Sequence, residues 1–282
     1  MPRFVAENRR AERWNKLLRG RGGLASDVER QTKIIALAGK GGVGKTSLSA
    51  AFVRLLTERQ PSARILAIDA DPAVGLATAL GVEVRETLDD IRKSIVASVE
   101  DGAPRKAIEL LNEARFRIFD TMVEEQAFAF LAIGRPESAG CYCTVNAYLK
   151  EVISLLAQDF EYVVIDGEAG IEQVNRRVME KVTDLVLVTD PSRKGTQVIQ
   201  TIRRVAQELV MCDRCGAVVN RLEDPELAQY VQLDGLELLA RIPADRAQAE
   251  GDIRGRSVFR LPGDAAILRG AEEALTRLGV LA

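Results

Sequence analysis

Short apolar runs recur along the chain at 34–38, 64–68, 127–133, 162–165, 185–189, 217–219 and 237–241. They lack the polar–apolar alternation of a strand with one wet face, so each reads as a strand covered on both sides, the habit of parallel sheets. Stretches of helical periodicity separate them, among them 47–58 and one from about Asn146 to Ala157. Strand and helix in alternation predict an α/β fold, a doubly wound and mostly parallel sheet with right-handed crossovers. A ligand of such a sheet lies at the carboxyl ends of its strands. Two segments depart from the pattern. Residues 82–126, charged and mostly helical around Asp101-Gly102-Ala103-Pro104, predict a helical insertion. Residues 1–30 predict a basic N-terminal extension to a domain over 31–282: from Met1 to Gly22, Arg3, Arg9, Arg10, Arg13, Lys16, Arg19 and Arg21 stand against only Glu7 and Glu12, and Gly20-Arg21-Gly22-Gly23 breaks any helix there.

The carboxyl end of the first run carries Gly39-Lys40-Gly41-Gly42-Val43-Gly44-Lys45-Thr46. A strand before it and a helix after it are the context that a phosphate-binding loop requires, and Lys45-Thr46 completes the G-x-x-x-x-G-K-[ST] pattern. The glycines let successive backbone N–H groups turn inward around phosphates, at the positive end of the following helix. Gly39, Gly41, Gly42, Val43 and Gly44 are thus candidates to cradle a nucleoside triphosphate together with Lys45, Thr46 and Ser47. Lys45 reaches the β- and γ-phosphates, and the Thr46 hydroxyl sits on magnesium.

Two later runs end in carboxylates, Asp69-Ala70-Asp71-Pro72 and Asp166-Gly167-Glu168-Ala169-Gly170. Beside a phosphate loop, such positions hold magnesium directly or through its waters. Either aspartate could instead cap the helix that follows it. The glycines at 167 and 170 would let the backbone approach the γ-phosphate. Asn220, at the end of the sixth run, can donate to and accept from an adenine edge at once, and is otherwise a turn residue.

Composition narrows the classes. With 39 basic and 41 acidic residues the chain has no overall field to attract nucleic acid. No apolar run approaches the roughly 18 residues of a membrane span, and no secretory signal segment opens the chain. A cytoplasmic protein is expected. Histidine is absent, so a metal site must use thiolates, carboxylates or backbone groups. The four cysteines fall in two close pairs, Cys141-x-Cys143 and Cys212-x-x-Cys215, which in this setting suggest metal or redox work rather than disulfides. In an extended segment Cys141 and Cys143 point the same way. Two thiolates fill half of a tetrahedral site, and a two-fold dimer supplies four. The second pair reads either as a metal or redox spacing or as a loop of solvent-facing thiols.

With its extra lysine, Lys40, the loop resembles the deviant Walker A motif of the MinD/ParA/nitrogenase-iron-protein class. The resemblance implies a nucleotide-sandwich homodimer in which Lys40 crosses to the partner's nucleotide. Asp69-x-Asp71-Pro72 is similar to that class's switch I and Asp166-x-x-Ala169-Gly170 to its switch II, which implies that Asp71 positions the attacking water while Asp69 and Asp166 serve magnesium. Asn220-Arg221 and Ile242-Pro243 resemble its adenine-binding segments, so that Asn220, Arg221 and Pro243 are implied to hold the base and ATP to be the nucleotide. Gly140-Cys141-Tyr142-Cys143, followed by Asn146 and Tyr148-Leu149-Lys150, resembles the cysteine signature of the carbon monoxide dehydrogenase maturation ATPases, the CooC family. That likeness spans roughly residues 33 to 280. It implies nickel or zinc on Cys141 and Cys143 at the dimer interface, and an apo-metalloenzyme of the carbon monoxide dehydrogenase type as client. Two other classes stay open: an ATP-driven reductase like nitrogenase iron protein, with an iron–sulfur cluster between protomers, and a MinD/ParA-type positioning switch that binds membrane or DNA.

Overall fold

The computed structural model describes residues 32–101, 104–125, 127–134, 143–168, 170, 174, 178–179, 181–209 and 211–282. The chain divides into two compact units, 1–31 and 32–282, and the first, with the basic segment, lies outside the described residues. Within the second, eight strands build one sheet: β1 (Lys33–Gly39), β2 (Ile65–Asp69), β3 (Val123–Glu124), β4 (Ala129–Ala132), β5 (Tyr162–Asp166), β6 (Lys181–Thr189), β7 (Met211–Leu222) and β8 (Glu237–Pro243). Their order is β3-β4-β2-β5-β1-β6-β7-β8. All ladders are parallel except that of the short edge strand β3 with β4. This is the α/β architecture that the uninterrupted apolar runs predict, because residues such as Ile35, Leu37, Val164 and Ile68 are buried on both faces.

Eight helices accompany the sheet among the described residues: α1 (Lys45–Arg59), α2 (Gly75–Leu80), α3 (Leu88–Glu100), α4 (Pro104–Thr121), α5 (Cys143–Ala157), α6 (Arg193–Leu209), α7 (Arg246–Ile253) and α8 (Ala266–Arg277). Helix α1 places Leu48, Phe52, Leu55 and Leu56 in the main core, and α8 packs against both α1 and β8. A Cβ on Gly270 would collide with Ile242, so the bare glycine is what lets α8 lie directly on β8. Burying a side chain the size of Phe52 stabilises the fold by about 1.5–3 kcal/mol.

Three features differ from the sequence-based expectation. Strands β6 and β7 begin earlier, at Lys181 and Met211, because polar residues hide their starts: buried Asp184 on β6 pairs with Lys33 Nζ at 3.1 Å, and Arg214 on β7 pairs with Glu237 at 3.2 Å. Cys212 and Cys215 consequently lie in a strand, half-buried and free, rather than in a loop of exposed thiols. Helix α5 opens at Cys143, not near Asn146, so that cysteine belongs to a helix's first turn instead of an extended segment. Between 82 and 126, helices α3 and α4 pack on each other and the edge strand β3 follows them.

Candidate nucleotide site

Strand β1 delivers the glycine loop at the carboxyl edge of the sheet, next to β6. A side chain at Gly39 would collide with the Val188 carbonyl of β6, so the strand can turn into the loop only as glycine. Gly44 adopts φ 93° at the start of α1, a left-handed geometry, and no side chain caps that helix end. The first N–H groups of α1 therefore keep their donors for a ligand, and the helix dipole favours an anion there. Lys45 is 7% exposed. Its amine donates to the Lys40 carbonyl at 3.3 Å. Burial lowers its pKa, and Asp166, Asp71 and Glu168 pull it back up. Lys40 rests its amine 3.3 Å from Asp190 Oδ2, at the carboxyl end of β6.

Asp69 and Asp166 are register partners at the ends of β2 and β5. Both are fully buried. Asp69 accepts from the Asp71 N–H at 3.1 Å and from the Leu76 N–H at 2.8 Å, which ties switch-like residues 70–76 to the strand end and satisfies the first turn of α2. The N-cap position of α2 is Val74, without a side-chain cap, so Asp69 bonds the helix start from the strand end and is not its N-cap residue. Burial, reinforced by the negative charge of Asp166, pushes Asp69 up to about 7. Asp166 accepts from Ser49 Oγ at 3.0 Å, whereas its Oδ2 is buried without a partner. Burial pushes it up to about 6, against the hydroxyls of Thr46 and Ser49 and the charge of Lys45. Two buried acids, one with an oxygen left without a partner and its carboxyl within reach of the Thr46 hydroxyl, form a hard-oxygen set that fits magnesium. Asp71 is half-buried and accepts from Ala73 N–H at 2.9 Å, leaving its second oxygen without a partner among the described residues. Val74, just beyond, is held at φ 52°, strained for a β-branched residue.

The remaining candidates divide. Asn220 lies beneath the loop, 2% exposed, and donates from Nδ2 to the Val43 carbonyl at 2.8 Å. Its amide is anchored on the loop, a partner that the sequence does not name. Arg221 and Pro243 are exposed at the ends of β7 and β8. Ser47 faces α7 and donates to Asp252 Oδ2 at 3.2 Å. Gly41 and Gly42 sit in the exposed turn of the loop. Gly167 does not owe its identity to a ligand alone: its N–H donates to the Leu37 carbonyl at 3.0 Å, and a Cβ would stand 2.5 Å from that oxygen. Cys141 lies outside the described residues, as does the side chain of Cys143. Among the described residues no cluster of three or more metal-ligating side chains occurs. At the far end of β7, burial raises both Cys212 and Cys215, the latter to about 11, so neither is a ready thiolate. Ser49 and Asp190 join the site unannounced; Ser49 follows Thr46 by one helical turn, and Asp190 ends a core strand.

A glycine loop opening on an uncapped helix, flanked by two buried strand-end aspartates, defines a P-loop nucleotide-binding protein. Residues 34–258 match the model of the CobQ/CobB/MinD/ParA nucleotide binding domain, and the chain belongs to that family of nucleotide-binding ATPases. An uncharacterized ATP-binding protein of Methanocaldococcus jannaschii is 36% identical over 249 residues, covering 87% of this chain and 98% of that protein. The carbon monoxide dehydrogenase accessory protein CooC of Rhodospirillum rubrum is 32% identical over 238 residues, covering 80% and 89%. In three dimensions the chain is similar to the septum site-determining protein MinD of Pyrococcus horikoshii complexed with Mg-ADP, with TM-score 0.63 and 23% identity over 88% of this chain and 96% of that one. Among the described residues no helix is long and apolar enough to cross a membrane.

Proposed function

We propose that the chain is a homodimeric ATP-hydrolysing metallochaperone that carries nickel or zinc on Cys141 and Cys143 to an apo-metalloenzyme of the carbon monoxide dehydrogenase type. The observation that carries the reading is the joint presence, in one chain, of the two-lysine phosphate loop and the C-x-C pair, beside 32% identity to the carbon monoxide dehydrogenase accessory protein CooC. Magnesium would be held by the Thr46 hydroxyl and Asp166, with Asp69 behind them, and when bound supplies charge neutralisation across the β- and γ-phosphates. The α1 N–H groups and Lys45 hold the phosphates of the chain's own ATP. Arg221 and Pro243, exposed at the ends of β7 and β8, would hold the adenine, with Asn220 behind Arg221 and bonded to its N–H.

Hydrolysis then needs positioning more than acid–base strength. Asp71, with one oxygen unengaged, orients a water for in-line attack on the γ-phosphorus. The new P–O bond forms as the bond to the β–γ bridging oxygen breaks, and the water's proton leaves with the phosphate, giving ADP and inorganic phosphate. Lys40 leaves Asp190 to reach the partner's nucleotide in the closed dimer, as an arginine finger does. Closure brings four thiolates together from two protomers, and opening after hydrolysis releases the ion. Soft thiolates suit nickel and zinc alike.

Metal content and visible spectrum of anaerobically purified protein test this directly. Nickel or zinc bound in proportion to Cys141 and Cys143, with no iron–sulfur absorption, supports the metallochaperone. A brown protein with iron and sulfide in the C-x-C site would move it to the cluster-bearing reductases.

A further inference from the structure

The end of β7 is built irregularly, and the irregularity serves one side chain. The pairing of β7 with β8 shifts register between Val219 and Leu222. Inside that bulge Arg221 adopts φ 60°, a left-handed geometry that a non-glycine residue holds only when its surroundings impose it. The Arg221 N–H donates to Asn220 Oδ1 at 2.9 Å, and Asn220 Nδ2 donates to the Val43 carbonyl at 2.8 Å. One partner is a donor and the other an acceptor, so together they fix which way round the amide lies. On the loop side, a Cβ on Gly44 would collide with Asn220 Nδ2. The amide therefore fills the space under the Val43–Gly44 peptide.

We propose that Asn220 is a positioning residue for the phosphate loop, setting the orientation of the Val43–Gly44 peptide from beneath, in addition to any contact it makes with a base. The peptide is trans and planar, as no cis bond occurs among the described residues. Holding the Val43 carbonyl down on Asn220 turns the Gly44 N–H the opposite way, off β7 and toward the phosphates. Gly44 is also the residue from which α1 starts, its carbonyl accepting the first intrahelical bond from the Leu48 N–H at 3.0 Å, so the brace fixes the first turn of the anion-binding helix as well. The inference rests on the reading of this loop as a triphosphate site. Its chemical content is distinct from base recognition, because it acts on any polyphosphate.

The test compares a triphosphate that has a base with one that has none. Binding of magnesium–ATP, magnesium–GTP and magnesium–tripolyphosphate is measured by calorimetry on the full chain and on Asn220→Asp, which keeps the shape and the acceptor for Arg221 but removes the donor to Val43. The brace predicts that affinity for ATP and for tripolyphosphate falls by the same factor, about tenfold, with the ATP-to-GTP ratio unchanged. Loss of ATP binding with tripolyphosphate binding intact would overturn it and leave Asn220 a base contact alone. Asn220→Ser, small and uncharged, repeats the comparison if the aspartate variant does not fold. Failure of both to fold would also overturn the proposal, by assigning Asn220 to the core. Wild-type protein that binds none of the three ligands would instead refute the triphosphate site itself.

Discussion

The two lysines of the loop sit in different surroundings although five residues apart. Lys45 is buried and turned onto its own loop, whereas Lys40 is a third exposed and paired with Asp190 across to β6. An exposed pair of that kind contributes about 0–1 kcal/mol, so Lys40 can leave it readily. Lys45→Ala should therefore abolish ATP turnover, while Lys40→Ala should keep nucleotide binding and lose ATP-driven dimerisation; nucleotide titration and solution mass on each variant measure both. Equal loss of affinity in the two, with Lys40→Ala still dimerising, would refute the division. Asp71→Asn is expected to bind magnesium–ATP normally and hydrolyse it about 10²-fold more slowly, because an amide does not accept from water as a carboxylate does. Turnover at the wild-type rate would leave Asp71 only its local contact with the Ala73 N–H. Lys40, Lys45, Asp69 and Asp166 were legible in the sequence because each sits in a short run whose neighbours state its context. Ser49, Asp190 and the link from Asn220 to Val43 were not, since they depend on how distant strands come into register.

At the scale of elements, apolar runs located β1, β2, β4, β5 and β8 closely, but β6 and β7 began in polar sequence whose partners lie elsewhere in the chain. Tertiary pairing, Lys33 with Asp184 and Arg214 with Glu237, makes those polar positions compatible with strands. The start of β2 is fixed in a similar way: Glu161 accepts from the Arg64 N–H at 2.6 Å and from its guanidinium at 2.9 Å, just ahead of β5. Burial raises the Glu161 pKa, but the bonds from Arg64 outweigh it and hold the carboxyl below its ordinary 4.5. A depressed carboxyl pKa stabilises the fold above the unfolded value and loses that contribution as pH falls through the folded one. Glu161→Gln should accordingly destabilise the protein by about 1 kcal/mol at neutral pH, and the gap to wild type should close as pH falls below 4.5. Denaturant melts across pH measure it; a gap independent of pH would mean that the charge contributes nothing.

For the whole molecule, one sheet presents the candidate nucleotide-binding groups at the carboxyl ends of its strands, and Cys141 and Cys143 follow β4 in the sequence. The family and fold were legible from the loop and the alternation of strands and helices; the proposed metal site on Cys141 and Cys143 needs two chains, and one chain's pattern states it only by analogy. If Cys141 and Cys143 of two protomers complete a four-thiolate site, binding releases protons as the thiols ionise and weakens as pH falls. The most direct measurement is native mass spectrometry of the metal-loaded protein with magnesium–ATP, for wild type, Cys141→Ser, Cys143→Ser and the double Cys212/Cys215 serine variant. One nickel or zinc ion per dimer is expected, lost in either single variant, because symmetry removes two of four ligands at once, and kept when Cys212 and Cys215 are replaced. One ion per monomer, retained without Cys141, would contradict it and shift the metal to the β7 cysteines.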